Sequence, residues 1–254
     1  MLHQETKRIV PGARFAVLFL HGIVGSPAHF RQILDLESRV PADISLWNLR
    51  LPGHGFGAAE FGASSGSQWR EYVWNAFREL AQSHEKVFLV GHSMGTLFSL
   101  QLEKEFSEKI AGMLLLNVPL RIRVKPWCVV NSVRLCLGCV PQDRPREAAI
   151  LTACGVSHSR NLFRYIGWIP RFLDLFGIMG QTEKILTEPS VPYQIIQSRQ
   201  DELVSGKTEG ILRKKGLQQI RVLEESSHFY YPPEENQVIC DCFRDMLQTL
   251  FVKS

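Results

Sequence analysis

Short apolar runs alternate with stretches of helical periodicity along most of the 254-residue chain, and this alternation constrains the fold more than any other feature. Runs such as Phe15–Leu20 are bounded by Gly, Pro or polar residues and have the length of one buried strand. Between the runs, apolar residues recur every three or four positions, as on one face of a helix. Strands that alternate with helices pair in parallel and carry helices on both faces. The sequence therefore predicts an α/β domain with a mostly parallel central sheet.

Six strands and at least three helices are predicted by these patterns. The strands cover residues 15–20, 44–51, 86–90, 112–118, 193–197 and 219–223. The helices cover residues 69–80, 96–106 and 238–251, where apolar residues follow three- and four-residue spacing.

The rhythm breaks between residues 120 and 189. This segment contains 4 of the 6 cysteines and carries 10 Lys/Arg against 5 Asp/Glu. We expect residues 1–119 and 190–254 to form the core, with 120–189 inserted as a helical cap before the strand at 193–197. Within the cap, Pro170 should kink or split a helix over 161–176.

The overall composition excludes several classes of protein. A net charge of +4 without a Lys/Arg-rich run does not indicate nucleic-acid binding. The polar N-terminus lacks the apolar core of a signal peptide, and no uncharged apolar stretch reaches the ~18 residues that cross a bilayer, so a cytoplasmic location is expected. Cys136 and Cys139 have metal-like spacing but no second pair, so neither a metal nor another cofactor is expected.

The pentapeptide Gly-His-Ser-Met-Gly at residues 91–95 has the pattern G-x-S-x-G between an apolar run and a helical stretch. A serine on a strand-to-helix turn is held in a strained conformation with its Oγ exposed. The flanking glycines let strand and helix approach closely. The helix N-terminus also favours negative charge that develops nearby. The pattern predicts Ser93 as a nucleophile, and the alternative is a serine N-cap in an ordinary turn.

Acyl transfer places negative charge on a carbonyl oxygen, which backbone N–H donors stabilise by on the order of 3 kcal/mol each. One donor should be Met94, the residue after the nucleophile, and the other Ile23, in the loop after the strand at 15–20. Gly22 is expected to permit the turn that aims the Ile23 N–H, and His21 to bond the loop. A plain glycine turn is the alternative.

Of the eight histidines, His228 is best placed to act as the base for Ser93. It lies five residues after the last predicted strand and just before the C-terminal helix, so its loop can lean over the nucleophile. His92 is adjacent to Ser93, but its side chain should point away from that of the serine.

The acid that orients the base should lie between the serine and the histidine in the chain. Asp201 begins the loop after the strand at 193–197, at the edge of the sheet where catalytic groups collect. Glu202 is the alternative acid. The strand before the cap ends in Asn117, which is not a carboxylate, so the other common position for the acid is removed.

Five segments, in order, resemble α/β hydrolases of the carboxylesterase and monoacylglycerol lipase (lysophospholipase) type. They are Leu20-His-Gly-Ile-Val-Gly-Ser-Pro27, Leu51-Pro-Gly-His-Gly55, Gly91-His-Ser-Met-Gly95, Arg199-Gln-Asp-Glu-Leu-Val204 and Ser226-Ser-His228. The resemblance spans residues 15–251 and implies the α/β-hydrolase fold, with a cap over 120–189 that shapes the acyl pocket. The cap is longer than in small bacterial carboxylesterases, and the stretch after His228 is unusually aromatic.

Together these features predict a serine hydrolase that cleaves carboxylic esters through an acyl-enzyme. Its substrate would be a short- to medium-chain ester or a lipid of the monoacylglycerol or lysophospholipid kind. A thioesterase, or a C–C or amide hydrolase with the same residues, is the alternative, because fold does not fix substrate. A non-catalytic binding protein is the other alternative. Such a protein usually lacks one of the three catalytic residues, whereas Ser93, Asp201 and His228 are all present here.

The cap also suggests a contact with lipid surfaces. Residues 161–176 are apolar except for a stripe of Arg164, Gly167, Arg171 and Asp174. Such a helix fits a lid over an acyl pocket with transient contact to lipid, or a helix packed on the edge of the sheet. The basic residues at 121, 123 and 125 precede Trp127 and could meet anionic lipid or simply be solvated.

Overall fold

The computed structural model describes residues 3–35, 39–124, 145–157, 159 and 161–252. The Cys136–Cys139 pair and the Lys125–Trp127 end of the basic cluster lie outside these residues. Cys154, Cys240 and Cys242 lie within them, and Cys240 and Cys242 are free thiols.

A central sheet of seven strands runs through the described part of the molecule, in the order β1-β3-β2-β5-β6-β8-β9. Strand β1 is antiparallel to β3 and every other pairing is parallel. Strands β4 and β7 form a separate parallel pair. The strands are β1 (Thr6–Arg8), β2 (Phe15–Leu20), β3 (Ser45–Leu49), β4 (Phe56–Gly57), β5 (Lys86–His92), β6 (Ile110–Leu116), β7 (Val156–Ser157), β8 (Tyr193–Ser198) and β9 (Ile220–Leu223).

Helices connect the strands and cover both faces of the sheet. The described helices are α1 (Ala28–Leu34), α2 (Ala58–Ala63), α3 (Gly66–Ser83), α4 (Met94–Phe106), α5 (Pro145–Ala153), α6 (Trp168–Ile185), α7 (Lys207–Lys214) and α8 (Pro233–Val252). Short 3-10 turns occupy Ser107–Lys109 and Leu162–Tyr165. The predicted mostly parallel sheet with helices on both faces is confirmed.

All six predicted strands are present, with ends that differ by at most three residues. Strands β1, β4 and β7 are missing from the prediction because each has only two or three residues and no apolar run.

Alternate residues of each central strand enter two separate hydrophobic cores. In β2, Ala16, Leu18 and Leu20 face the core that contains α3 and α4. Val17 and Phe19 face the opposite core, which contains α1 and α8. A strand buried on both faces needs apolar residues at every position, which is why it reads as a continuous apolar run.

The order of the strands reverses between β2 and β5, which lie side by side at the centre of the sheet. Successive connections lead outward from this point in opposite directions and leave a crevice at the carboxyl ends of the two strands. Ligand sites of open α/β sheets form at such crevices. The loops that carry Ile23 and Met94 begin here.

The described part of residues 120–189 is mostly helical and packs beside this edge of the sheet. Helix α6 begins at Trp168 after the 3-10 turn at Leu162–Tyr165, so the apolar segment is split as the sequence predicts. Pro170 lies in the first turn of α6, where its missing N–H costs no helical hydrogen bond. Farther along, Leu175, Ile178 and Met179 pack into the core beside α4.

The N-terminal half of α6 turns its polar side towards the core. Gly167 lies against Gly62 of α2, and the Arg171 Nη1 donates to the Gly62 carbonyl at 3.2 Å. Asp174 Oδ2 accepts from the Gly66 N–H, in the first turn of α3, at 3.0 Å. Three of the four residues of the predicted polar stripe therefore dock the cap, and only Arg164 is exposed.

The apolar side of the same segment is correspondingly exposed. The exposed fractions are 81% for Phe163, 63% for Ile169 and 62% for Leu173, and Ile166, Phe172 and Phe176 are exposed as well. We call these six residues the cap face.

Candidate active site

Ser93 occupies the sharp turn between β5 and α4. Its backbone has φ 51° and ψ −123°, in the region of positive φ that residues with a side chain rarely adopt. The Ser93 N–H donates to the Leu116 carbonyl of β6 at 2.9 Å, and its carbonyl accepts from the Thr96 N–H at 2.9 Å. Strain of this kind persists where the surroundings hold it, and it is concentrated at functional sites.

Both glycines of the pentapeptide are required by close contacts. A Cβ on Gly95 would lie 1.8 Å from the Leu20 carbonyl oxygen, and a Cβ on Gly91 would lie 2.8 Å from the Thr96 nitrogen. The first contact brings the N-terminus of α4 onto the end of β2. The predicted close approach of strand and helix is confirmed.

The loop after β2 lies directly against Ser93. A Cβ on Gly22 would lie 2.8 Å from the Ser93 Cβ, so this glycine leaves room for the serine side chain. The left-handed residue of the loop is Val24, with φ 57°. The need for glycine at residue 22 is therefore steric, because the positive φ of the loop falls two residues later, where a β-branched side chain makes it costly.

Ile23 and Met94 lie on the two loops that meet at Ser93. Within the described chain, neither backbone N–H has a hydrogen-bond acceptor outside a helix or strand. Met94 begins α4, where the first N–H groups have no partner inside the helix. Neither N–H is therefore taken up by a turn or loop hydrogen bond in the described chain.

Two buried histidines fix the loop that carries Ile23. His21 Nδ1 lies 2.8 Å from the Gly22 carbonyl and His21 Nε2 accepts from the Leu51 N–H at 3.1 Å. His54 Nε2 accepts from the Val24 N–H at 3.2 Å. Burial lowers the pKa of His21 to about 4, so the ring is neutral and can accept on Nε2. The structural role predicted for His21 is confirmed.

The structure brings Asp201 and His228 into direct contact. Asp201 follows β8 and His228 follows β9, and His228 Nδ1 lies 2.7 Å from Asp201 Oδ2. The other carboxylate oxygen, Oδ1, accepts from the N–H groups of Leu203 and Val204, each at 2.7 Å. These bonds fix the carboxylate, which in turn fixes the orientation of the imidazole.

Glu202, the alternative acid, bonds a different part of the same histidine. Its Oε2 accepts from the His228 backbone N–H at 3.0 Å. The geometry therefore gives the contact with the ring to Asp201.

Burial disfavours the charged imidazole of His228, but the neighbouring carboxylates of Asp201 and Glu202 outweigh it and raise the pKa of His228 above its usual value. The Asp201 contact occupies Nδ1 and leaves Nε2 as the nitrogen that can take a proton from a nucleophile.

Two further side chains, neither of which the sequence pattern indicates as a contact of His228, hold its main chain. His92 Nε2 lies 3.0 Å from the His228 carbonyl oxygen, and Asn117 Nδ2 donates to the same oxygen at 3.4 Å. Asn117 has φ 54°, and its Oδ1 accepts from the Ser198 N–H at 2.9 Å. The signal in the sequence is the polar residue Asn117 directly after the apolar run of β6.

The aromatic stretch after His228 packs against the buried histidines of the site. Phe229 packs its ring 4.7 Å from that of His228 and 5.7 Å from that of His29. The Tyr231 hydroxyl accepts from Asn117 Nδ2 at 3.0 Å. The side chains of the site are nearly closed off from solvent, with Ser93 6% and His228 2% exposed.

Among the residues that the structure describes, no group of three or more His, Cys, Asp or Glu side chains is arranged to hold a metal ion. No helix in the same ranges is long and apolar enough to cross a membrane.

Comparisons with known proteins agree on one family and one fold. The model of the alpha/beta hydrolase family matches residues 17–241. No curated protein matches the chain. Among solved structures, a chain from work on LipS and LipT, two metagenome-derived lipolytic enzymes, has a TM-score of 0.70 and 22% identity, over 97% of this chain and 98% of that one.

Two other solved structures show how widely the fold is used. A monoacylglycerol lipase from Paleococcus ferrophilus has a TM-score of 0.69 and 18% identity, over 97% of this chain and 98% of that one. A thioesterase domain from the curacin biosynthetic pathway has a TM-score of 0.60 and 16% identity, over 96% and 94%. At these identities the likeness concerns the fold.

Proposed function

The chain belongs to the alpha/beta hydrolase family, and on this premise we propose that it hydrolyses carboxylic esters with Ser93, His228 and Asp201 as a catalytic triad. Two observations carry the proposal: the 2.7 Å contact between His228 Nδ1 and Asp201 Oδ2, and the positive φ at which Ser93 is held on its turn. A buried imidazole oriented by a carboxylate is what a serine hydroxyl needs as its base.

In the first half-reaction, Ser93 Oγ attacks the ester carbonyl carbon as its proton passes to His228 Nε2. Asp201 stabilises the imidazolium that forms. The imidazolium then gives the proton to the departing alkoxide, so the alcohol leaves and an acyl-serine remains.

In the second half-reaction, water takes the place of the alcohol. His228 Nε2 accepts a proton from the water as its oxygen attacks the acyl carbon, and returns that proton to Ser93 Oγ. The products are a carboxylic acid and the free enzyme, so atoms and charges balance.

Ile23 and Met94 donate their N–H groups to the oxyanion in both halves. The two donors are preorganised by the loop after β2 and by the start of α4, and they need little rearrangement as the negative charge develops. Removal of one such donor typically lowers kcat by about 10²- to 10³-fold.

The substrate class that we propose is an ester with an apolar acyl chain. Two features support it: the fold likeness to lipolytic enzymes and a monoacylglycerol lipase, and the apolar cap beside the crevice. We also propose that the cap face contacts lipid surfaces, because its six large apolar side chains are exposed while three of the four residues of the polar stripe face inward.

Fluorophosphonate labelling tests the nucleophile. The wild-type protein should take one label, and Ser93→Ala should take none while keeping its far-UV circular dichroism. Equal labelling of both proteins, or no labelling of the wild type, would rule out the assignment of Ser93.

A panel of p-nitrophenyl esters of increasing chain length tests the substrate class, with the matching thioesters and anilides run beside it. We expect kcat/KM to rise from acetate towards medium chains. A profile highest for thioesters would instead favour the thioesterase alternative, and a decline beyond acetate would contradict an apolar acyl pocket.

Vesicle sedimentation tests the contact with lipid. The double variant Ile169→Asp/Leu173→Asp should bind phosphatidylglycerol-containing vesicles less than the wild type, with unchanged hydrolysis of p-nitrophenyl acetate. Ile9→Asp is the matched control, since Ile9 is 44% exposed but lies beside β1. Equal sedimentation of all three proteins would remove the cap face as a lipid contact.

A further inference from the structure

The main chain of His228 is held at both of its peptide groups by buried side chains. Its N–H donates to Glu202 Oε2 at 3.0 Å, and its carbonyl accepts from His92 Nε2 at 3.0 Å. These partners come from two different turns of the sheet, after β8 and at the end of β5. They act independently of the Asp201 contact, which holds only the ring.

Glu202 is an unusual choice for the N–H of a buried histidine. Glu202 is only 1% exposed, and the second oxygen of its carboxylate, Oε1, has no hydrogen-bond partner in the described chain. Burial raises the pKa of the Glu202 carboxyl, which reflects the cost of a charge in this place. A glutamine would accept the same hydrogen bond without the free-energy cost of burying a charge. The hydrogen bond alone therefore does not explain why this residue is a glutamate.

The titratable groups packed around His228 show what the charge of Glu202 can do. Its titratable neighbours are Asp201 and Glu202 after β8, His92 on β5, His29 on α1 and Tyr231 in its own loop. Burial holds the pKa of both neighbouring histidines well below the usual value and that of Tyr231 well above it. The charge next to the imidazole therefore comes from the two carboxylates.

His92 acts as a fixed hydrogen-bond donor. A carbonyl oxygen only accepts, so the 3.0 Å contact with His228 places the proton of the neutral His92 ring on Nε2. The ring packs 4.8 Å from that of His228 and 4.0 Å from that of His29. His92 is thus locked between the nucleophile turn and the histidine loop.

We propose that Glu202 and His92 are positioning residues that clamp the His228 main chain from two sides, and that the Glu202 carboxylate also stabilises the imidazolium. The proposal rests on the function proposed above, in which His228 carries the proton. Glu202 is then not the alternative acid of the triad but a second carboxylate with a separate role beside Asp201.

The test compares Glu202→Gln and Glu202→Ala with the wild type by two measurements: the pKa of the His228 ring by NMR, and the pH profile of kcat/KM. Glu202→Gln keeps the acceptor and removes the charge, so the His228 pKa and the acidic limb should both move down by about half a unit to one unit. Glu202→Ala also frees the N–H, and its kcat should fall about 100-fold with KM within about twofold.

Glu103→Gln is the matched control. Glu103 is also a buried glutamate, 2% exposed, but its carboxylate accepts from the N–H and hydroxyl of Ser190. This variant should leave the His228 pKa unmoved even if it lowers the free energy of unfolding. A His228 pKa that is unmoved in Glu202→Gln, or that moves equally in Glu103→Gln, would overturn the role of the charge.

The NMR titration separates this inference from the proposed function. If the wild type takes no fluorophosphonate label, the function fails while the titration still measures the effect of Glu202 on His228. If Glu202→Ala fails to fold, Glu202→Gln carries the test, because it keeps the side-chain shape and the hydrogen bond.

His92 is tested by rescue. His92→Phe removes the donor and should lower kcat about 10-fold, whereas His92→Gln retains an amide donor and should recover most of that loss. Equal kcat for His92→Phe and the wild type, or equal losses in both variants, would overturn the positioning role of His92.

Discussion

The turns at the centre of the sheet and the N-terminal half of α6 use polar and apolar groups in opposite ways. Around Ser93 and His228, apolar strands are buried and each polar loop is tied by several hydrogen bonds, such as those of Asp201 and Asn117. In the first turns of α6, the polar residues Arg171 and Asp174 face the core, whereas the apolar residues Ile169, Phe172 and Leu173 face solvent.

The difference shows that stability alone explains the arrangement of side chains in the first region but not in the second. In the sheet, burial of apolar surface and satisfaction of polar groups agree, so stability and site geometry are set together. In the first turns of α6, polar residues dock by hydrogen bonds and a close glycine contact, and the cap face is left exposed, although Trp168 and Leu175 pack into the core. A protein keeps such a surface for a ligand or partner more often than for its own stability.

Among variants of the two regions, Asp201→Asn at the centre of the sheet should have the largest effect, and that effect is on kcat. We expect kcat to fall about 10⁴-fold with the fold intact, because the imidazole loses its orienting charge and the correct tautomer. Glu202 cannot take over while it bonds the His228 main chain. Ester hydrolysis within about tenfold of the wild type would show that Asp201 does not orient the base.

Glycine substitutions in two helices sharpen the comparison in terms of stability. Gly95→Ala in α4 would place a Cβ 1.8 Å from the Leu20 carbonyl oxygen, so we expect the free energy of unfolding to fall by about 3 kcal/mol or more. Gly177→Ala in α6 meets nothing within 4 Å and should raise it by ~0.5–1 kcal/mol. Urea unfolding measures both, and a tolerated Gly95→Ala would contradict the close approach.

Asp174 tests how the cap is docked. Its carboxylate accepts from the Gly66 N–H at the start of α3 and pairs with Arg171 at 3.0 Å. Asp174→Ala should lower the free energy of unfolding by about 1–2 kcal/mol, since a helix N-terminus loses its anion and its acceptor. Asp174→Asn keeps the acceptor and should lose less. An unchanged urea midpoint in both variants would mean that the polar stripe contributes nothing to docking.

The smallest effect concerns the pH dependence of the site. The base must be neutral to accept a proton, so kcat/KM should rise with pH through the pKa of His228. The carboxylates raise that pKa, which places the half-maximal point above 6.5. Burial lowers the pKa of His21 to about 4 and that of His29 to about 3, so neither should titrate in this range. A half-maximal point at or below 6.5 would contradict the influence of the carboxylates.

Much of the fold could be predicted from the sequence, because strands such as β2 and β5 are buried on both faces and appear as unbroken apolar runs. The pentapeptide at 91–95 gave the turn its position, since only glycine fits at residues 91 and 95. The edge pairing of β1 and the β4–β7 pair could not be predicted, because backbone hydrogen bonds of two or three residues leave no periodic pattern.

The sequence by itself determined the order of the six longer strands and of three helices, the serine turn and the candidate acid and base, since each depends on local spacing and on apolar period. Only the tertiary structure decided which carboxylate meets the His228 ring, that His92 and Asn117 share its carbonyl, and which side of α6 faces the core. Such contacts join residues from 27 to 136 positions apart. Their geometry follows from how the loops at one edge of the sheet pack together rather than from any local pattern.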